Sequence, residues 1–76
     1  MRNLFDQQLE QLDQELTIMG TLCERAISVA VKTLLEDDVS VRGEAALLEE
    51  EIDRKERDIE DLCMKLLLRP QPVARD

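Results

Sequence analysis

Seventy-six residues with a formal charge of −8 make one domain at most, close to the lower size limit for a self-sufficient core. That acidity argues against nucleic acid and anionic lipid surfaces as partners, and Phe5, the single aromatic, gives no platform for base stacking. The sequence has no histidine, which removes most zinc sites, nucleophilic triads and histidine-containing di-iron patterns. Hydrophobic residues at 43% and charged residues at 37% match long-helix or coiled-coil composition. No apolar run is long enough for membrane insertion, and no signal peptide opens the chain. Two cysteines without secretory context read as reduced thiols in a cytoplasmic protein.

From the N-terminus, Phe5, Leu9, Leu12, Leu16, Met19, Cys23, Ala26 and Ala30 recur at alternating steps of four and three, the spacing of a heptad seam. A first helix is expected over residues ~3–37. Ile18, Leu22, Ile27, Val29, Val31 and Leu34 add apolar surface outside that seam, wider than one facing helix covers. Gly20, costly inside a helix, reads as a close-packing position, with a hinge as the alternative. Asp37, Asp38, Val39 and Ser40 mark a turn at ~38–40, where Asp38 or Ser40 can cap the next helix. The second helix is expected over ~40–68, ended by Pro70, which disfavours helical geometry at Arg69. A connection this short makes the helices antiparallel neighbours. The expected organisation is one helical hairpin over 1–69 and an exit segment over 70–76.

In the second helix, Leu48, Ile52, Lys55, Ile59, Leu62 and Leu66 share a face and form the buried row. Lys55 sits among them either as a snorkelling side chain or as a device that fixes register. The next row, Glu49, Asp53, Glu56 and Glu60, carries four carboxylates and no cation, whereas Glu50, Arg54, Arg57 and Asp61 mix signs. Like charges at this spacing are mildly destabilising unless something positive sits on them. Solvent counterions, a cationic partner or a metal would serve, and Arg57 is placed to neutralise the row itself. Oxygen-only ligation suits Mg²⁺, Ca²⁺, Mn²⁺ or iron better than copper or zinc. In a hairpin turning near residue 39, Cys23 comes opposite ~55–57 and Cys63 opposite ~15–17, out of disulfide reach. Both read as core residues.

The order of features resembles the PhoU family of phosphate-transport accessory and phosphate-signalling proteins. The resemblance rests on Met1-Arg2, Phe5-Asp6-Gln7-Gln8-Leu9, Leu12, Met19-Gly20, Leu22, Glu24 and Ala26-Ile27. It continues with Glu49-x-x-Ile52-Asp53, Ile59-Glu60, Leu62-Cys63, Leu66-Leu67 and Pro72-Val73-Ala74-x-Asp76. It implies an all-α fold, here the first two helices of a bundle that usually has three. It also implies an acidic Glu/Asp-x-x-x-Asp motif associated with metal ions, carried here by Glu49 and Asp53, with Glu56 or Glu60 available to extend the shell. The cofactor it implies is therefore a divalent or iron ion. The implied function is a non-enzymatic negative regulator of the phosphate-starvation response, with a phosphate ABC transporter ATPase and a sensor kinase as partners at the inner membrane. The competing reading is a generic acidic helical-hairpin oligomerisation module with no phosphate connection. Two helices with this much apolar surface lead to a further expectation: a homodimer closing a four-helix bundle, with Ile18, Leu22, Val29 and Leu67 buried between chains.

Overall fold

The computed structural model describes residues 3–36 and 38–69. Two helices, α1 (Leu4–Leu35) and α2 (Val39–Leu68), pack antiparallel as a single hairpin. Each end is set by a local signal. Asn3, in extended backbone, accepts the Asp6 N–H through its side chain at 2.8 Å and so satisfies one of the free donors that open a helix. Asp38 does the same for α2, accepting the Ser40 N–H at 2.9 Å, so of the two candidate caps Asp38 is the one used. The α1 exit is Glu36, extended, whose N–H still reaches the Lys32 carbonyl at 2.7 Å. Arg69 ends α2 at φ −67°, ψ 145°, the geometry that a succeeding proline imposes. The exit segment, residues 70–76, lies outside the described residues.

The apolar core gathers near the turn. Leu22, Val29, Val41 and Leu48 are buried together, with Ala26, Ala45 and Ile52 packed against them. Farther from the turn, Leu62 alone among the described residues is buried, flanked by half-buried Phe5, Leu12, Met19, Ile59 and Leu66. On α2 the row from Leu48 to Leu66 faces α1 as its spacing requires.

On α1 the buried row differs from the heptad reading. It runs Phe5, Gln8, Leu12, Glu15, Met19, Leu22, Ala26 and Val29, while Leu9, Leu16, Cys23 and Ala30 are exposed. Every second seam position is thus shifted back by one residue. Two apolar rows compete for one facing helix, and the α2 partners decide between them. Lys55 Nζ donates to Glu15 Oε2 at 2.8 Å, and Arg69 donates to Gln8 Oε1 at 3.2 Å. These bonds make two polar residues acceptable inside the seam, and the more apolar row stays outside. Arg69 also lies over the Phe5 ring, 5.1 Å from its centre, a cation–π contact.

Three expectations are corrected by this packing. Leu22 and Val29, placed between chains by the dimer reading, belong to the hairpin's own core. Cys23 is exposed rather than a core residue, and lies level with Leu47, since Glu15 eight residues earlier meets Lys55. By the same register Cys63 lies level with Gln7, roughly 24 Å from Cys23 at about 1.5 Å per residue. Both are free thiols. Nor is Gly20 a close-packing position: a Cβ built there meets nothing within 4 Å.

Candidate functional site

The seam leaves a groove on each flank of the hairpin, and the two differ in chemistry. One, of about 580 Å³, is lined by Ile18 and Leu22 from α1 and by Glu51, Arg54, Lys55, Arg57, Asp58 and Asp61 from α2. Its charges are mixed and partly paired, since Lys55 Nζ also lies 3.8 Å from Asp58. The hydrogen bond from Lys55 to Glu15, reinforced by the carboxylate charges of Glu15 and Asp58, raises the Lys55 pKa against an opposing desolvation. Lys55 is therefore not a free snorkelling cation. It is a cross-helix pair, half-buried with its acceptor, formed where Glu15 comes level with it.

The other groove, about 480 Å³ beside the turn, is apolar. Ala26, Val29, Ala30, Thr33 and Leu34 line it from α1, and Ala45, Leu48, Glu49 and Ile52 from α2. The Thr33 hydroxyl donates to the Val29 carbonyl at 2.8 Å, so it adds no unmet polar demand. Helical periodicity carries the apolar side of this groove along α1 through Ile27, Cys23, Leu16 and Leu9, all exposed. All but Ile27 are residues that the heptad reading placed in the seam.

The α2 rim of the same groove is the acidic row. Glu49, Asp53, Glu56 and Glu60 are all exposed. None of them takes part in an ion pair or side-chain hydrogen bond among the described residues. Arg57, the candidate for neutralising the row, lines the opposite groove instead. Glu49 and Asp53, one turn apart, suit a hard cation by their donor type but offer only two of the six to eight oxygens it seeks. Among the described residues no three acidic or cysteine side chains come together as a metal cluster. The donor set is that of a partial site. Glu15 and Gln8 are the site-shaping residues that sequence reasoning missed. Their own spacing, seven apart and seven before Leu22, was the available signal, hidden because both are polar.

An all-helical hairpin with one apolar flank and one mixed-charge flank is the class that the fold defines. The model of the PhoU domain matches residues 16–76, and the chain belongs to that family. It is 35% identical over 72 residues to the "Phosphate-specific transport system accessory protein PhoU homolog" of Pseudomonas putida, covering 95% of this chain and 28% of that protein. The identically named Synechocystis protein is 36% identical over 75 residues, covering 99% of this chain and 34% of its own length. That of Deinococcus radiodurans is 37% identical over 65 residues, covering 86% and 30%. The chain thus spans about a third of the length of these relatives. No solved structure matches it. No described helix is long and apolar enough to cross a membrane.

Proposed function

We propose that the chain is a regulatory adaptor of phosphate transport and phosphate-starvation signalling, acting by binding other proteins and carrying no catalytic step. The observation that carries this reading is the match to relatives named as accessory proteins of a phosphate-specific transport system over nearly the whole of this chain. In this reading its partners are the ATPase of a phosphate ABC transporter and a phosphate sensor kinase, met at the cytoplasmic side of the membrane. The open flanks of the hairpin are the available contact surfaces. Deleting the chain should de-repress a phosphate-starvation reporter in phosphate-replete cells, and the tagged chain should co-purify with the ATPase or the kinase. An unchanged reporter with neither partner recovered would sink the reading.

Metal binding belongs to the same proposal. Glu49 and Asp53 would hold an oxygen-seeking ion, with Glu56, Glu60 or groups from outside the hairpin completing its shell. The ion would neutralise the unpaired row and so relieve its i, i+4 repulsion. Mn²⁺, Mg²⁺ or iron should then raise the melting temperature by mass action. A Glu49→Gln, Asp53→Asn variant should keep its helicity and lose that shift. Equal shifts in variant and parent would reduce the row to a solvated face.

A further inference from the structure

We infer that the mixed-charge flank of the hairpin is a contact surface for a second copy of this chain, α2 lying antiparallel to α2 about a two-fold axis between Arg57 and Asp58. Glu50, Arg54, Arg57, Asp58, Asp61 and Lys65 share that side of α2 by helical spacing, and all six are exposed. Four of them line the groove there. Along the chain their signs read minus, plus, plus, minus, minus, plus, and the gaps between them are the same from either end. Read backwards, the row is its own complement. In a two-fold contact residue i faces j and j faces i. Arg57 then meets the partner's Asp58, Arg54 the partner's Asp61 and Glu50 the partner's Lys65, each pair made twice. By the same count Leu47 comes level with the partner's Leu68, joining two exposed leucines at each end.

The pattern selects one register. Slid one turn in one direction, Arg54 would face the partner's Arg57 and Glu50 the partner's Asp61. Slid the other way, Arg54 would face the partner's Lys65 and Asp58 the partner's Asp61. Within the chain these charges are largely unspent. Among the described residues only Asp58 of the six has an ionic neighbour, Lys55 at 3.8 Å. The first helix offers no opposition. With Glu15 level with Lys55, the axis crosses α1 between Leu12 and Asp13. The α1 residues beside it on this flank, Gln7, Gln11, Gln14 and Ile18, are uncharged. The contact is thus centred on the half of the hairpin where Leu62 alone of the described residues is buried. On the other flank Glu49, Asp53, Glu56 and Glu60 have one sign and would repel their own copies. Exposed ion pairs are individually weak, so the row sets orientation and register more than tightness.

This inference goes beyond the phosphate reading and does not depend on it. Its test is sedimentation equilibrium of the intact chain over a concentration series, with a chelator present so that no metal bridges the acidic row. The chain should dimerise, with a Kd that rises at least about tenfold between about 50 mM and about 500 mM salt. Arg54→Asp and Asp61→Arg should each weaken the dimer at least about tenfold, since each reversal strikes two pairs. An equimolar mixture of the two variants should regain the parent's affinity as a heterodimer, and so should the chain carrying both reversals. Glu56→Arg, the same charge change as Asp61→Arg on the opposite flank, should leave the dimer intact. Far-UV circular dichroism checks that every variant keeps its helices. Bulk repulsion predicts the reverse for Asp61→Arg, which lowers the net negative charge and would tighten the dimer. A chain that stays monomeric throughout the series, a mixture no tighter than the single variants, or equal losses in Glu56→Arg and Asp61→Arg would overturn the contact. Failure of the phosphate reporter alone would leave this result untouched.

Discussion

The half of the hairpin next to the turn and the half at its open end are held by different chemistry. Near the turn, four aliphatic side chains from Leu22 to Leu48 bury one another. Toward the open end the same seam passes through Glu15–Lys55 and Gln8–Arg69, with Leu62 the only buried side chain there among the described residues. Burial is non-directional and scales with area, whereas a cross-helix ion pair demands one alignment and adds less when it is partly solvated. One half therefore supplies most of the stability and the other specifies the register. A hairpin with leucines throughout would pack as well and slide more easily.

The sharpest way to break this division is truncation in the apolar half. Replacing Leu48, at 3% exposure the most buried of the described residues, by alanine should cost about 3 kcal/mol, a large share of what so small a core provides. Leu9→Ala, on the exposed row, should stay within about 0.5 kcal/mol in the same urea titration. If Leu62→Ala cost as much as Leu48→Ala, the two halves would not differ in the way described.

The polar half is tested by coupling and by pH. Glu15→Gln and Lys55→Met should each destabilise, and the double variant should lose less than the two losses together. Because the folded-state pKa of Lys55 is raised, its contribution is full below the unfolded lysine value near 10.4 and fades as pH climbs through the higher folded value. The melting temperature should therefore fall at strongly alkaline pH, and fall less in Lys55→Met. A Lys55→Met variant with an unchanged alkaline profile would show that the pair contributes nothing to folding.

A smaller effect of opposite sign is expected midway along α1. The site of Gly20 is open to solvent, so Gly20→Ala should stabilise by roughly 0.5–1 kcal/mol through helix propensity alone. The smallest readout is chemical. Under native conditions Cys23 should react with a thiol reagent faster than the half-buried Cys63, and both should titrate after denaturation.

Much of the fold was legible because its signals are local. Asp38 can cap only the helix immediately after it, Pro70 restrains only Arg69, and the single apolar row of α2 leaves one choice of face. The α1 face was not legible in the same way. Leu9, Leu16, Cys23 and Ala30 are more apolar than Gln8, Glu15, Leu22 and Val29 as a set, and counting hydrophobicity selects the former. What reverses the choice is the partner of each polar residue on the other helix, Lys55 for Glu15 and Arg69 for Gln8. Such information exists only once the helices are aligned. The same shift explains the cysteine register, set by where Lys55 finds Glu15 rather than by the midpoint of the turn. For the acidic row, periodicity placed the four carboxylates on one side of α2. That this side borders an apolar trough, with Arg57 turned elsewhere, depended on which α1 row was buried.

The hairpin is a rod, 64 × 18 × 15 Å, with a radius of gyration of 17.8 Å. A compact domain of the same chain length would have a radius near 11 Å, and one matching the rod would need roughly 240 residues. In small-angle scattering the low-angle slope of one hairpin therefore looks like that of a globular particle of about three times its mass. The intensity extrapolated to zero angle counts mass and ignores shape, so it reports one chain as one chain. A helix packed alongside the hairpin, in the apolar groove, adds width and hardly any length. Docking would thus raise the zero-angle intensity in proportion to the added mass while the slope scarcely moved, and the cross-sectional radius would carry the change.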